Sequence, residues 1–347
     1  MQTIAIFHTR KKQKGGLLLS LALLVFGLLA AAVIFVNWYV RQPLDFAPQV
    51  QGQRIQMEVR KGSGAQTIAT QLVDSGIQVQ PQIAYWWLRL HGSGLKAGYY
   101  EIKRGSSLRS IGLKLAEGKQ SLLSLTVPEG WNLRQVRAML KDKAWMKQDS
   151  AQMSEAEILN ALGLSELKTL EGQLAPDTYL YAPGTSDLGF YKQAHQQLQK
   201  NLDEAWAARA PGVQVKTPQE ALILASIVEK ETGLGADRAL IAAVFHNRLR
   251  INMPLQTDPT VIYGMGERYA GNIRKKDLQT DTPYNTYTRR GLPPSPIAMA
   301  GKDALHATLH PANTKALYFV ARGDGSSHFS ETLDGHNRAV NKFIRNR

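Results

Sequence analysis

The sequence of 347 residues contains no cysteine. This absence excludes disulfide bonds, metal sites built on thiolates and catalysis by a cysteine nucleophile. The chain also lacks zinc-finger spacing, the aromatic motif of an RNA-recognition sheet and a convincing helix-turn-helix, so nucleic acid is not an expected partner. It is nevertheless basic, with 42 lysines and arginines against 28 acidic residues. A basic surface without these motifs suits anionic lipids or an anionic polymer.

Charge is missing from one long stretch near the N-terminus. Residues 15–40 include no charged side chain, and the hydrocarbon core of a bilayer requires about 20 apolar residues as a helix. Four basic residues precede this run and one follows it: Arg10, Lys11, Lys12, Lys14 and Arg41. The positive-inside rule then predicts a cytoplasmic tail over 1–14, a transmembrane helix over 15–40 and the remainder across the membrane. A cleaved signal peptide is the alternative, although its apolar region is usually only ~7–15 residues long.

Short repeated units follow a predicted linker. The linker covers residues 41–53, which include two prolines and several glutamines. Three segments, at 59–72, 102–115 and 127–140, each carry a β-branched residue, a glycine three positions later and apolar residues at helical spacing. This pattern predicts a strand, a tight turn at the glycine and a helix in each segment.

The first two repeats enclose another predicted helix and strand, at 83–90 and 99–103. The resulting order of strand, helix, helix and strand resembles a LysM-type module, a fold that binds N-acetylated glycans, and we expect a LysM-like α+β module over 54–126. A spacer that binds no ligand is the alternative, because a fold alone does not assign a function. Four aromatic residues could stack on sugar rings, although Trp87 is expected in the core: Trp86, Trp87, Tyr99 and Tyr100.

A helix with two glutamates near its end is predicted over 218–231. Residues 217–220 have the form of a capping box with proline at the first helical position, and Gly233 is a natural stop. Loops rich in amides, hydroxyls and tyrosines follow at 255–264, 282–288 and 291–298. Such loops carry function when rigid elements hold them, and their groups suit sugar rings.

The two glutamates differ in their predicted surroundings. Leu224, Ile227 and Val228 form an apolar stripe that Glu231 continues, whereas Glu229 lies on a less apolar face. A carboxyl at the end of a buried stripe is desolvated, which raises its pKa and suits a general acid near neutral pH. Glu229 is expected to pair with a cation or to face solvent. An acid at a helix end is otherwise most often solvated or paired, which remains the alternative for Glu231.

These segments together resemble the motif series of the MltG/YceG-like endolytic murein transglycosylases. The resemblance spans residues 217–340 and rests on IVEKETG, FHNRLRINMPLQTDPTVIYGMG, TPYNTYTRRGLPPSPIAMAG, ALHATLHPA and LYFVARGDGSSHFSETLDGHN. It implies a mixed α+β catalytic domain over 127–347, in which the catalytic glutamate corresponds to Glu231. One departure is the segment EGQLA at 171–175, where the family often has aromatic residues, so that one wall contacting sugar is expected to differ.

The resemblance also implies a place and a reaction. It describes a bacterial inner-membrane enzyme whose catalytic domain is periplasmic, and which cuts nascent peptidoglycan strands internally to leave 1,6-anhydromuramoyl ends. Such an enzyme needs one carboxyl, whereas ordinary glycosidases use two. We expect Glu231 to protonate the leaving oxygen and then to take a proton from O6 of the same sugar. The residues expected to position the sugar are Gln256, Asp258, Asn285 and Tyr287.

Other functions stay open from the sequence. If Asp258 activated water, the protein would be a lysozyme-type muramidase, although Asp-Pro-Thr also suits a turn. A non-catalytic, membrane-tethered glycan-binding protein would need only the LysM-like module and basic charge. No cofactor and no metal are expected, because His306 and His310 lack an HExxH pattern. Peptidoglycan synthases are natural partners for an enzyme held where new strands emerge.

Overall fold

The computed structural model of the protein describes residues 14–92, 94–143, 145–231 and 234–345. Most of the predicted tail over 1–14, together with Gly233, lies outside the described residues. The chain divides into two compact units, Met1–Leu122 and Leu123–Arg347. Both units combine helices with short antiparallel strand pairs, which confirms the expected α+β class.

The described residues of the first unit form four helices and two strands. They are α1 (Lys14–Tyr39), β1 (Arg54–Val59), α2 (Ala65–Asp74), α3 (Pro81–His91), β2 (Gly98–Lys103) and α4 (Leu108–Glu117). Strands β1 and β2 pair antiparallel, with Arg54 opposite Lys103 and Val59 opposite Gly98. The expected order of strand, helix, helix and strand is therefore present, while the resemblance to a LysM module stays a prediction.

Helix α1 is the predicted apolar helix. Its segment Leu19–Tyr39 is long and apolar enough to cross a membrane, and its described side chains are almost all exposed. The helix runs directly into the first unit, because Val36 and Tyr39 pack against the core and Val40 is fully buried in it. The Tyr39 hydroxyl also accepts a hydrogen bond from the backbone N–H of Gln80 at 3.0 Å.

The predicted linker over 41–53 is partly wrong. Leu44 and Phe46 are buried in the core of the first unit, and Phe46 forms an isolated β-bridge with Ile77. The prediction rested on the prolines and glutamines of the segment, whereas the burial of Leu44 and Phe46 holds the segment against the core. The segment is therefore part of the unit and not a free connection.

The three repeated segments fold as predicted. Their glycines have φ angles of 86°, 81° and 74°, at Gly62, Gly105 and Gly130, which is the left-handed region that favours glycine. The apolar positions of the helices that follow are all buried: Ile68, Leu72, Ile111, Leu115, Val136 and Leu140. Among the aromatic candidates, Tyr100 is buried and Trp87 packs against the core, whereas Trp86 is 55% exposed.

The second unit begins earlier than the sequence suggested. Strand β3 (Leu123–Thr126) pairs antiparallel with β4 (Thr178–Tyr181), so the division falls before residue 123 and not after 126. The remaining strands, β5 (Tyr318–Ala321) and β6 (Ser327–Ser330), form an antiparallel pair. The helices are α5 (Leu133–Lys141), α6 (Glu155–Leu162), α7 (Asp187–Ala207), α8 (Pro218–Glu231), α9 (Gly235–Arg250), α10 (Asp258–Met265), α11 (Lys275–Gln279), α12 (Lys302–Leu309) and α13 (Leu333–Val340).

Helix α8 lies at the centre of this unit and has the predicted bounds. Its start is capped as expected, because Thr217 Oγ1 accepts from the N–H of Glu220 at 3.1 Å. All residues from Ala221 to Val228 are buried, and α7, α9, α10 and α12 contact the helix. The predicted apolar stripe is therefore not a separate face. What distinguishes Glu231 is its position at the end of α8, directly after the segment 221–228 that is buried on every face.

Candidate active site

Glu231 is the last residue of α8 and is half-buried. The Thr257 hydroxyl, itself buried at the start of α10, donates a hydrogen bond to Glu231 Oε1. Burial raises the pKa of Glu231, and the charge of Asp258 raises it further, while the Thr257 bond and the charge of Arg248 act in the opposite direction. The net effect is a raised pKa, so this carboxyl keeps its proton to higher pH than an exposed glutamate.

The loop that presents Thr257 has a strained backbone. Gln256 has a φ angle of 47°, in the left-handed region that non-glycine residues rarely adopt. Residue Thr286 fixes this geometry: its carbonyl accepts from Gln256 N at 3.1 Å and its hydroxyl accepts from Thr257 N at 3.1 Å. Strain of this kind persists where surrounding contacts enforce it, as they commonly do at functional sites. The Gln256 side chain is exposed beside Thr257.

A second carboxyl lies close to Glu231. Asp258 is exposed and accepts a 2.6 Å hydrogen bond from the Tyr287 hydroxyl. Burial and the neighbouring charges of Asp258 and Glu231 raise the pKa of Tyr287, so its phenol keeps its proton and remains a donor. The structure thus brings together four of the predicted residues: Glu231, Gln256, Asp258 and Tyr287.

Asn285, the fifth predicted residue, has a structural position. It is only 1% exposed, and its amino group donates to three backbone carbonyls, those of Asp277, Leu278 and Thr280. Its side-chain oxygen accepts from the N–H of Tyr287 at 2.9 Å. The amide therefore fixes the turn that carries Tyr287 and leaves no group for a sugar, contrary to the prediction.

Arg248, on α9, was not predicted from the sequence. This side chain is 7% exposed, and it donates to the carbonyls of Leu317 and Leu255, each at 2.7 Å. Within the described part of the chain, no carboxylate lies at ion-pair distance from it. Burying a cation without a counter-charge is destabilising. The negative charge of ionised Glu231 favours the charged form of Arg248 and so offsets part of this cost.

Arg248 has two consequences for the site. It holds the carbonyl that precedes Gln256, and so it supports the strained loop. Its charge also favours the ionised form of Glu231. A signal was present in the sequence, because Arg248 continues the buried pattern of Ile241, Val244 and Phe245 at helical spacing. The same helical spacing of apolar residues, on α8, predicted the buried position of Glu231.

Glu229 pairs with a cation, as expected. One of its oxygens lies 3.8 Å from Arg238 Nη2, and the other accepts from the N–H of Gly301 at 3.0 Å, at the start of α12. A carboxylate at a helix N-terminus is stabilised there by the unpaired N–H groups. Glu229 therefore connects α8, α9 and α12.

The segment at 171–175 is buried throughout, and the sugar-contacting wall that was expected to differ there stays a prediction. Its Glu171 is 4% exposed and accepts from the N–H groups of Leu133 and Gly172 and from the Tyr263 hydroxyl. Burial raises the pKa of Glu171 to about 7, against these hydrogen bonds. This carboxyl joins the first turn of α5 to α10.

The raised pKa of Glu171 predicts that stability falls as pH rises. The unfolded chain releases this proton near pH 4.5 and the folded chain at about 7, so its contribution is complete below 4.5 and is lost by about 7. Relative to Glu171→Gln, the wild-type protein should lose up to about 3 kcal/mol of unfolding free energy across that window. Denaturant unfolding at several pH values measures the difference.

Glu166→Gln is the control for this prediction, because Glu166 is exposed and the substitution removes the same charge. Its stability should run parallel to that of the wild type at every pH. If Glu171→Gln also ran parallel, the buried carboxyl would not be the source of the pH dependence.

Comparisons with known proteins find relatives of this chain. The model of the YceG-like family matches residues 57–342. An endolytic murein transglycosylase of Bacillus subtilis is 34% identical over 307 aligned positions, which cover 84% of this chain and 85% of that protein. The endolytic murein transglycosylase of Streptococcus pneumoniae serotype 2 is 28% identical, and the match covers 94% of this chain and 65% of that protein. A crystal structure of a YceG-like protein from Listeria monocytogenes has a TM-score of 0.52 and 32% identity, covering 83% of this chain and 99% of that one.

Proposed function

Because this chain belongs to the YceG-like family, we propose that it cleaves the bond between N-acetylmuramic acid and N-acetylglucosamine inside nascent peptidoglycan strands. It is a lytic transglycosylase, a lyase that acts on polysaccharide, as its relatives are. The proposed products carry 1,6-anhydromuramoyl ends, and their formation ends strand elongation. The observation that carries this proposal is the half-buried carboxyl of Glu231, whose pKa is raised and which is held by Thr257.

In the first proposed step, the protonated Glu231 donates to the glycosidic oxygen as the bond to C1 of the muramoyl sugar breaks. Positive charge develops at C1 and negative charge on Glu231. Arg248 and the Thr257 hydroxyl stabilise that carboxylate, because both favour its ionised form. The raised pKa brings this acid closer to neutral pH than an exposed glutamate, and proton transfer from a positioned side chain contributes ~10²–10⁴-fold.

In the second proposed step, the Glu231 carboxylate takes the proton from O6 of the same sugar as O6 bonds to C1. The proton lost in the first step is thereby regained, no water is consumed and the anhydro ring is closed. Asp258 keeps its bond from Tyr287, and its charge maintains the raised pKa of Glu231. Gln256 and Tyr287 are proposed to position the sugar, and Asn285 to position Tyr287.

The mass of the products tests the reaction. Purified peptidoglycan treated with the detergent-solubilised protein should yield fragments of many lengths whose muramoyl ends lack one water relative to reducing ends. Asp258 lies close enough to Glu231 for its charge to act on it, which favours a water-activating muramidase as the second candidate function. Reducing ends would establish that candidate, and binding without cleavage would show a glycan-binding protein.

The membrane placement is proposed on α1. Leu19–Tyr39 would span the inner membrane once, with the N-terminus in the cytoplasm and the residues that follow α1 in the periplasm. This placement keeps the enzyme near new strands and near peptidoglycan synthases, which we propose as partners. We also propose that the LysM-like unit binds glycan, with the exposed Trp86 as a stacking surface.

A further inference from the structure

A cleft of about 880 Å³ adjoins the Glu231 site within the second unit. It lies between the first turn of α5, the end of α8 and one face of α10. Lys230, which directly precedes Glu231, lines it, as does Pro259, which directly follows Asp258. The cleft and the candidate active site therefore share the ends of two helices, and its size is that of a ligand site.

One wall of the cleft presents hydrogen-bond donors. Asn132 and Gln135 cap α5 reciprocally: Asn132 Oδ1 accepts from Gln135 N and Gln135 Oε1 accepts from Asn132 N, both at 3.0 Å. Because both oxygens bind backbone N–H groups, the amide orientations are fixed and the amino groups are left as donors. Among the described residues, neither amino group has a hydrogen-bond acceptor. Lys230 adds an ammonium that donates one bond to the Gly130 carbonyl.

The rest of the cleft is largely apolar or aromatic. Ile262, Tyr263 and Ile297 line it, and Ile297 is buried. Two acidic side chains also line it: Glu171 accepts from N–H and O–H donors, and Glu267 is an exposed residue at the rim, 3.5 Å from Arg134. A ligand that fits must therefore accept hydrogen bonds on one side and offer an apolar group to the other.

We propose that this cleft binds acetamido groups of the glycan strand beside the cleaved bond, with Asn132 and Gln135 donating to their carbonyl oxygens and the methyl groups packing on the apolar wall. The identity of the strand rests on the proposed function. Both sugars of peptidoglycan carry an acetamido group, so a cleft next to Glu231 would hold the strand on one side of the cut. An enzyme that binds the strand beyond the cleaved bond as well as at it favours cutting within a strand over cutting at its end.

The capping box allows a test that leaves the fold intact. Asn132→Asp and Gln135→Glu keep the oxygens that cap α5, and glutamate is a standard capping-box residue at this position, but both substitutions remove the amino donors. The double variant should keep its melting temperature and its kcat. Its KM for peptidoglycan and the inhibition constant of chitohexaose, an uncharged N-acetylated oligomer, should rise about tenfold, as the loss of two hydrogen bonds predicts.

Asn160→Asp with Gln152→Glu is the matched control, because both residues lie outside the cleft and the charge change is the same. Equal KM and inhibition constants in the two double variants would overturn the proposal. So would an effect confined to peptide-bearing strands, with chitohexaose unaffected, since the donors would then serve stem-peptide carboxylates. If the wild-type protein bound chitohexaose through these donors but cut no strand, the proposed function would fail and the cleft proposal would stand.

Discussion

Replacing Glu231 with glutamine is expected to reduce strand cleavage by ~10²–10⁴-fold, the contribution of a positioned general acid. Glutamine preserves the shape of the side chain and can still accept from Thr257, but it has no proton to donate to the glycosidic oxygen. The variant should remain folded and should still bind glycan, because glutamine fills the same space as glutamate and keeps the hydrogen bond from the Thr257 hydroxyl. Mass spectrometry of digested peptidoglycan, with single-turnover rates, measures the loss.

Glu229→Gln is the matched control for this experiment. It lies two positions away on the same helix, and its carboxyl is bound to Gly301 and close to Arg238. We expect that variant to lose stability, because the connection between α8 and α12 weakens, while the folded fraction cleaves strands at close to the normal rate. A dead Glu229→Gln protein beside an active Glu231→Gln protein would reverse the assignment.

Removing the charge of Arg248 is expected to shift the pH profile of cleavage as well as its rate. Activity needs protonated Glu231, so it declines as pH rises through the pKa of that carboxyl. The charge of Arg248 lowers this pKa, and Arg248→Met should therefore move the alkaline limb to higher pH. The rate at the optimum should fall ~10²-fold, because the loop that carries Thr257 loses its anchor at Leu255 and misplacement of a reacting group is costly.

Arg248→Lys separates the two effects. Lysine retains the charge but lacks the fork that reaches both the Leu255 and Leu317 carbonyls. Its alkaline limb should stay near that of the wild-type protein while its rate falls. A rate loss in both variants with no change in either pH profile would show that Arg248 acts only by holding the loop and not through its charge.

Secondary structure and turns were predicted well where local patterns govern them. The bounds of α8, the ion pair of Glu229 and the three glycine turns follow from capping residues, helical spacing and backbone freedom, all of which act within a few residues. The errors have a different origin. The linker over 41–53 was assigned from composition and Asn285 from its amino-acid type. The partner of Phe46, Ile77, is distant in the chain, and Asn285 binds the backbone of the turn that precedes it.

Taken alone, the sequence determined that an apolar helix long enough to cross a membrane precedes a basic α+β chain, and that a glutamate ends a buried helix. It also identified the loops that would surround that glutamate. These properties depend on the order of side chains along one segment, and hydrophobic burial with helix capping converts that order directly into local structure.

Only the tertiary structure decided which groups act on that glutamate. Arg248, Thr257 and Tyr287 come from three separate segments. Their burial beside Glu231 shifts the pKa values of Glu231, Arg248 and Tyr287 and brings the hydroxyl of Thr257 within hydrogen-bond distance of Glu231. The electrostatic effect of one group on another depends on distance and on exclusion of water, and neither quantity is encoded within a single stretch of chain.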